Sequence, residues 1–386
     1  MYSPMNSRHF TAHVNPNGAK YYLMTTHVAP VQQSFYFVNS GFSDDGRYLW
    51  FYCAFPPAAG HTVAVLDFLT DEITHFPETL GYGWMVDPLT GNLYWACSEG
   101  LYMRTPHPED KAVCIWPMPA DIKRWRIGEA ATHLTFTPDR KEILIDVRTL
   151  FGPTFIGTVC LETGEYTEWY RTEGRTQYDH AQMSPVDPDL CLCAHEFSYD
   201  PELGRSVQPP YIDGIYPRLQ LITRDGKREM RRPYGNFATH EWWAADGKSI
   251  YYVENGHICQ DRLGENEGES LCYIPVEGGN GAWHAHCTAD GQYFVVDGSH
   301  PYEGLEWWRG CPSMVRFWNR KTGKLADVCS YNPVVEGWTP QRPCIYHIDP
   351  HPRFVVGDQW IMFTATTGGR VEVAVAETEQ LIRMTE

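Results

Sequence analysis

Hydrophobic and polar positions alternate along most of the chain with a period close to two, which is the spacing of half-buried β-strands. A short polar turn followed by an apolar strand occurs in seven copies. These occupy residues 42–51, 86–95, 136–145, 183–192, 243–252, 287–296 and 354–363. Their starts lie about 40 to 70 residues apart, enough for four short strands with loops, which is the period of a propeller blade.

Between these copies lie further turn-centred segments, at residues 65–74, 159–166, 221–226 and 317–324, each of which predicts a hairpin of outer strands. No segment predicts a helix of three turns, because 33 glycines and 28 prolines interrupt every region. The sequence therefore predicts an all-β fold, a seven-bladed β-propeller with four-stranded antiparallel blades, as one domain over residues 1–386. An array of β-sandwiches is the competing fold, but it would not require seven equivalent copies.

The net charge of −17, from 31 Lys and Arg against 48 Asp and Glu, comes without any basic run, which argues against nucleic acid or an anionic membrane as a partner. An acidic ligand would need local cations. No secretory signal or apolar run of membrane-spanning length is present, so we expect a soluble, cytoplasmic protein. The 12 cysteines are scattered and lack zinc-site spacing, so we expect them to be reduced.

Near the C-terminus, His347, Asp349 and His351 alternate in a strand-like run, so they point to one face and predict part of a metal site. Other histidines also fall on or just before the first strand of a repeat. In a propeller these strands line the central channel, so their side chains meet. The residues of this kind are His180, His240 with Glu241, His284 and His286, together with His347 and His351, and His195 with Glu196 stands at the end of the strand in the blade of His180. Four consecutive blades thus predict a polar centre at one mouth of the channel.

Motifs of other enzyme classes are absent from the sequence. His240-Glu241 and His195-Glu196 both lack the second histidine of a zincin helix and occur in strand context. There is no Gly-x-Ser-x-Gly elbow, Walker loop or dinucleotide fingerprint, which weakens the hydrolase-triad, nucleotide and NAD hypotheses.

Taken together, these residues resemble the oligogalacturonate lyases, seven-bladed propellers that finish the breakdown of pectin fragments. The strongest segment is 239–247, which reads Thr-His-Glu-Trp-Trp-Ala-Ala-Asp-Gly where the family has Thr-His-Glu-Phe-Trp-x-x-Asp-Gly. The remaining matches follow in the family's order along most of the chain. They are Phe35-Tyr36-Phe37 through residues 42–46, Asp179-His180 with Pro185, Ala194-His195-Glu196, and Arg218.

The resemblance also implies a metal site. His284 stands six residues before Asp290, as one metal ligand of the family does, and His351 keeps a second ligand position. The sequence departs from the family at Asp349, which replaces a histidine, and near His347, which lies beside the position of a family glutamine. We therefore expect a divalent metal held by His284, His351, Asp349 and His347. The added carboxylate favours Mn²⁺, with Ca²⁺ or another divalent cation as alternatives.

The activity implied is β-elimination on an acidic oligosaccharide. In this interpretation Arg218 pairs with the substrate carboxylate or poises the C5 proton, and His240 or His180 is the general base. Glu241 and Glu196 would orient the histidines. The residues expected to contact substrate are His195, Glu196, Tyr211, Tyr216 and Trp283. The alternatives are a lyase for another uronide such as a rhamnose-glucuronate or ulvan-type linkage, a glycoside hydrolase or epimerase using Asp and Glu pairs, and a non-catalytic binding propeller. Sequence does not indicate the oligomeric state.

Overall fold

The structure is a computed structural model that describes residues 2–235, 237–301, 312–335, 346 and 348–386. Within these ranges the strands form seven antiparallel sheets, one per blade, so the predicted propeller is confirmed. Two strands that belong to the last blade begin the chain, β1 (Phe10–Val14) and β2 (Lys20–Met24). The next two blades follow. Blade 1 contains β3 (Val31–Gln33), β4 (Tyr48–Ala54), β5 (His61–Asp67) and β6 (Glu72–Phe76), and blade 2 contains β7 (Tyr82–Val86), β8 (Leu93–Cys97), β9 (Gly100–Arg104) and β10 (Val113–Pro117).

Blades 3 and 4 each carry one short extra strand. Blade 3 contains β11 (Ile127–Glu129), β12 (Thr135–Phe136), β13 (Glu142–Thr149), β14 (Phe155–Cys160) and β15 (Tyr166–Arg171). Blade 4 contains β16 (Gln177–Met183), β17 (Leu190–Asp200), β18 (Arg205–Val207), β19 (Leu219–Thr223) and β20 (Arg228–Met230).

Blades 5 and 6 are four-stranded. Blade 5 contains β21 (Thr239–Trp243), β22 (Ser249–Glu254), β23 (His257–Arg262) and β24 (Glu269–Tyr273). Blade 6 contains β25 (Ala285–Cys287), β26 (Tyr293–Ser299), β27 (Ser313–Asn319) and β28 (Leu325–Asn332).

Blade 7 closes the ring with strands from both ends of the chain. Its C-terminal strands are β29 (Arg353–Val355), β30 (Trp360–Ala365) and β31 (Glu372–Glu377), and β2 and β1 complete the sheet beside β31. Hydrogen bonds between β2 and β31 thus join the two ends of the chain within one blade and close the ring.

Helices are short in the described ranges, as expected from the sequence. They are α1 (Ala120–Lys123), α2 (Thr378–Thr385) and 3₁₀ turns at Pro4–Asn6 and Pro77–Thr79. Among the described residues, no helix has the length and apolar character that crossing a bilayer requires. Helix α2 packs on β27 and β28 of blade 6.

The repeated turn joins the first and second strands of each blade. The Asp-Gly turns place glycine in the left-handed region, with φ of 73° at Gly46, 65° at Gly247 and 64° at Gly291, a conformation that glycine adopts without steric cost. The hydrophobic core lies between neighbouring blades. Phe35 and Trp50 of blade 1, for example, are buried with Trp84 and Trp95 of blade 2. Such packing fixes each first strand against the next and so determines where its polar residues lie.

Candidate functional site

A cavity of about 1290 Å³ lies where the first strands of the blades converge. Its wall includes residues on or next to the first strand of each of several blades, among them Trp84 of blade 2, His133 of blade 3, His180 of blade 4, His240 of blade 5 and His351 of blade 7. The polar centre expected at this point of the repeat is therefore a cavity lined largely by imidazoles and aromatic rings.

Three of these histidines have an unusual backbone conformation. His180, His240 and His351 have φ of 52°, 53° and 45°, a left-handed conformation that is uncommon outside glycine. At His180 and His240 the pairing register between the first and second strands also shifts. Bulges of this kind re-aim a side chain, and backbone strain is typical of functional sites.

His284, Asp349 and His351 form a buried group that could hold a metal ion. Each offers a ligand atom, and these atoms lie within 4.8 Å of one another. The ring centroids of the two histidines are 4.3 Å apart, and Nε2 of His351 is 4.0 Å from Oδ2 of Asp349. The fourth predicted ligand, His347, lies outside the described residues.

The carboxylate of Asp297, on β26, holds this group in position. It accepts the backbone N–H of His284 at 2.7 Å and the backbone N–H of His351 at 3.0 Å. It also contacts Nδ1 of His284 at 3.0 and 3.2 Å. Because Nδ1 donates to this carboxylate, the lone pair of His284 is on Nε2, as in the carboxylate–histidine–metal arrangement. The donor set of two imidazoles and one carboxylate therefore fits a divalent cation.

Arg218 is a buried cation held by two carboxylates. Its Nε donates to Glu241 at 2.9 Å, its Nη2 lies 3.5 Å from the same carboxylate, and its Nη1 donates to Glu196. Burial alone would lower the pKa of Arg218, but the charges of Glu241 and Glu196 more than offset burial and raise it. The guanidinium therefore stays charged, and its orientation is fixed by paired hydrogen bonds.

His180 forms a second charged pair, since its Nδ1 lies 2.8 Å from Oδ1 of Asp179. Burial lowers the pKa of His180, but Asp179 more than offsets this and raises it to about 9. Asp179, His180 and Glu196 also have donor atoms within 4.8 Å of one another. These residues belong to one charge network, because Arg218 binds Glu196 and His180 pairs with Asp179.

Comparisons with known proteins give a consistent result. The chain is 24% identical over 371 residues to the oligogalacturonate lyase of Dickeya dadantii, with 89% of each chain covered. It is also 24% identical over 371 residues to the oligogalacturonide lyase of Pectobacterium atrosepticum, again with 89% of each covered. The resemblance to the oligogalacturonate lyases is confirmed. No protein-family model matches the chain.

Two solved structures share the fold of this chain. One is an oligogalacturonate lyase in complex with manganese, with a TM-score of 0.71 and 19% identity, covering 96% of both chains. The other is the oligogalacturonate lyase of Vibrio parahaemolyticus, with a TM-score of 0.72 and 17% identity, covering 95% of this chain and 96% of that one. At these identities the similarity establishes a common fold.

Several residues singled out by the resemblance to oligogalacturonate lyases meet at the cavity. His240, Arg218 and His180 line its wall with Glu196 and Trp283. The ring centroid of His240 lies 4.2 Å from that of His284 and 5.3 Å from that of Trp283. His284 and Asp349 are 0% and 3% exposed, and of the three candidate metal ligands His351 is the one that lines the cavity.

Three expected substrate contacts, His195, Tyr211 and Tyr216, are not among the described residues of this wall, and their contact with substrate stays a prediction. His195 and Glu196 are adjacent on β17, so they point to opposite faces. The ring of His195 packs on Tyr178, with centroids 4.6 Å apart, and burial together with Arg228 lowers its pKa to about 4. Tyr216 is 3% exposed and packs behind Phe237, whereas Tyr211 is 57% exposed.

Sequence reasoning missed Tyr36, His133 and Asp297 as site residues. The ring of Tyr36 lies among four imidazoles, with centroid distances of 5.1 Å to His133, 6.2 Å to His180, 5.6 Å to His284 and 4.8 Å to His351. A sequence signal did exist for Asp297, because it is a lone carboxylate at the fifth position of the apolar second strand of its blade. Asp146 takes the same position in blade 3, where it accepts the backbone N–H of Thr132 at 3.1 Å.

Proposed function

We propose that this protein is a metal-dependent enzyme, a lyase that cleaves short uronic-acid oligosaccharides of the oligogalacturonate type by β-elimination and leaves an unsaturated uronate end. The observation that carries the proposal is the buried His284–Asp349–His351 group, which Asp297 orients and whose His351 lines the same cavity as Arg218 and His240. The similarity to oligogalacturonate lyases over 89% of the chain supports it.

β-Elimination on a uronide has three requirements: the C5 proton must be removed, the carboxylate must be neutralised, and the O4 leaving group must depart. His284, Asp349 and His351 would hold the metal, with Mn²⁺ as the proposed ion. When bound, the metal would act as a Lewis acid that neutralises the substrate carboxylate. The named solved relative binds manganese, and two imidazoles with one carboxylate suit that ion.

The other two requirements, removal of the C5 proton and departure of O4, fall to histidines. Arg218 is fixed between Glu241 and Glu196 and keeps its proton, so it acts on the substrate carboxylate through its positive charge and not as a base. His180, whose pKa is raised to about 9, is also protonated at neutral pH and is suited to donate a proton to O4. We therefore propose His240 as the base that removes the C5 proton.

One residue of the metal group, Asp349, suggests a second candidate substrate. Asp349 stands where the oligogalacturonate lyases carry a histidine, so the metal charge is partly neutralised by the protein. This favours, as a second candidate, a lyase of the same fold that acts on a different uronide, such as a rhamnose-glucuronate linkage. A glycoside hydrolase is less consistent with the geometry, because Glu196 and Glu241 both bind Arg218 and are not poised as an acid and base pair.

The proposed location is the cytoplasm, with a role in the breakdown of pectin fragments. The ten cysteines in the described part of the chain are free, which is typical of a reducing compartment. This includes Cys191 and Cys193, whose sulfur atoms lie 3.9 Å apart and are not joined by a disulfide.

The test is to mix the protein, with and without Mn²⁺, with di- and trigalacturonate and to follow the ultraviolet absorbance of a newly conjugated C4=C5 double bond. We expect a metal-dependent rise that is lost in His351→Ala together with the bound metal. His257→Ala is the matched control, because His257 lies on an outer strand and bonds Ser270 at 2.8 Å. A flat trace with metal bound would exclude galacturonate as the substrate, and a saturated product would indicate hydrolysis.

A further inference from the structure

His133 is a cavity residue to which the proposed reaction gives no role. It precedes β12 of blade 3, is 3% exposed, and still contributes to the cavity wall. Its ring stacks on Tyr36 at 5.1 Å with an interplanar angle of 19°, and it meets the ring of His180 edge-on at 5.1 Å. Two neighbours therefore fix the plane of the ring.

The loop that carries His133 is also held firmly. Thr132 donates its hydroxyl to Asp146 at 2.6 Å, and its hydroxyl oxygen accepts the backbone N–H of His180 at 2.6 Å. The side chain of Thr132 thereby ties blade 3 to blade 4. His133 and His180 are held at a fixed spacing on the cavity wall, which is the condition for a preorganised binding site.

One ring nitrogen of His133 has an unmet bonding capacity. Nε2 is buried and has no hydrogen-bond partner among the described residues. Burial and the neighbouring charge of His180 hold the pKa of His133 well below 6.5, while the backbone of Thr132 hydrogen-bonds the ring. The imidazole is therefore neutral, and Nε2 is an acceptor. A buried polar atom without a partner is costly, and in a cavity wall a ligand can supply that partner.

We propose that Nε2 of His133 accepts a hydrogen bond from a hydroxyl group of the bound uronide, next to the contact that the same sugar makes with His180. This inference rests on the proposed lyase function. A neutral acceptor selects an O–H donor and repels a carboxylate, whereas the charged His180 attracts anionic oxygen. The two rings, whose centroids are 5.1 Å apart, thus offer the sugar a hydrogen-bond acceptor beside the proton donor proposed for O4.

The test compares His133→Phe, which keeps an aromatic ring against Tyr36, with His133→Gln, which restores an acceptor. The matched control is His286→Phe. His286 also has a buried ring nitrogen without a partner among the described residues and a pKa well below 6.5, but it packs near Phe354 and is not among the described residues of the cavity wall.

With digalacturonate and Mn²⁺ we expect His133→Phe to raise KM about 10-fold or more, with a smaller change in kcat, because one hydrogen bond to the substrate is lost. His133→Gln should recover part of the loss, and His286→Phe should leave KM unchanged. Among digalacturonides that each lack one hydroxyl group, one analogue should raise the KM of the wild type by the same factor. The KM of His133→Phe should be the same for that analogue as for digalacturonate. Equal responses of His133→Phe and wild type to every analogue would overturn the inference.

A measurement on the wild type covers the case in which the variants fail to fold. The ¹⁵N shift of Nε2 of His133 should move toward that of a hydrogen-bonded acceptor when digalacturonate is added, and an unchanged shift with substrate bound would also overturn the inference. Failure of the proposed function looks different, because the wild type itself would then neither bind nor cleave any uronide.

Discussion

Asp297→Asn is the perturbation that tests how the metal group is built. The carboxylate of Asp297 is 1% exposed and accepts N–H groups from both His284 and His351. Asparagine keeps the size of the side chain, but it removes the negative charge and replaces one acceptor oxygen with an NH₂ group. One buried N–H of the pair then faces another donor.

The size of the effect follows from these contacts. Loss of a carboxylate that orients a ligand histidine lowers metal affinity about 10- to 100-fold, or about 1.4 to 2.8 kcal/mol at 1.4 kcal/mol per tenfold. The buried N–H that loses its acceptor costs about 1–3 kcal/mol of unfolding free energy. We therefore expect the variant to fold, with reduced stability and weakened binding of Mn²⁺.

The assay is calorimetric titration of the metal-free protein with Mn²⁺, combined with urea unfolding of the same samples. Asp261→Asn is the control, because Asp261 is equally buried and accepts hydrogen bonds from Arg231 at 2.8 and 2.9 Å, but it contacts none of the three candidate ligands. Asp261→Asn should lose stability and keep its metal affinity. If Asp297→Asn bound Mn²⁺ as tightly as the wild type, Asp297 would not orient the ligands, and the assignment of the metal group would be wrong.

Three further outcomes are expected. Glu241→Gln removes the main partner of the buried Arg218, so it should lower the free energy of unfolding in urea by about 3–5 kcal/mol and abolish most of the lyase activity. The control is Glu229→Gln, at the exposed partner of Arg231, which should lower the free energy of unfolding by less than about 1 kcal/mol. Equal losses of stability in the two variants would contradict the argument. The pKa of His180 is raised from 6.5 to about 9, so its stabilising contribution is complete below pH 6.5 and is lost as the pH rises through about 9. Urea unfolding across that window should show a steeper loss for the wild type than for His180→Phe, and parallel curves would refute the pairing with Asp179. Removal of Mn²⁺ by a chelator should abolish the double-bond signal and leave the propeller folded, as measured by circular dichroism, because the interblade core does not involve the metal; unfolding on chelation would contradict this.

The blade pattern could be predicted from sequence because it depends on local physics. A polar turn, with Asp-Gly in three of the seven copies, and the alternation of apolar residues determine each hairpin, as at residues 243–252, without reference to the rest of the chain. The clustering of histidines at the start of the blades could be predicted for the same reason, because equivalent positions of the repeat occupy equivalent places around the channel. The direction of each side chain could not be predicted in this way: Glu196 lines the cavity, whereas its strand neighbour His195 packs on Tyr178 and bonds Ser198.

What the sequence by itself determined is the repeat, the all-β class and a set of imidazoles at equivalent positions. Only the tertiary structure decided which side chains meet, because the contacts cross the ring between residues far apart in the chain. Tyr36 reaches His351 from the first blade to the last, and Asp297 binds His351 across 54 residues. No local rule determines such contacts. They follow from the closure of seven blades by β2 and β31, which sets the diameter of the channel and thus brings the first strands within reach of one another.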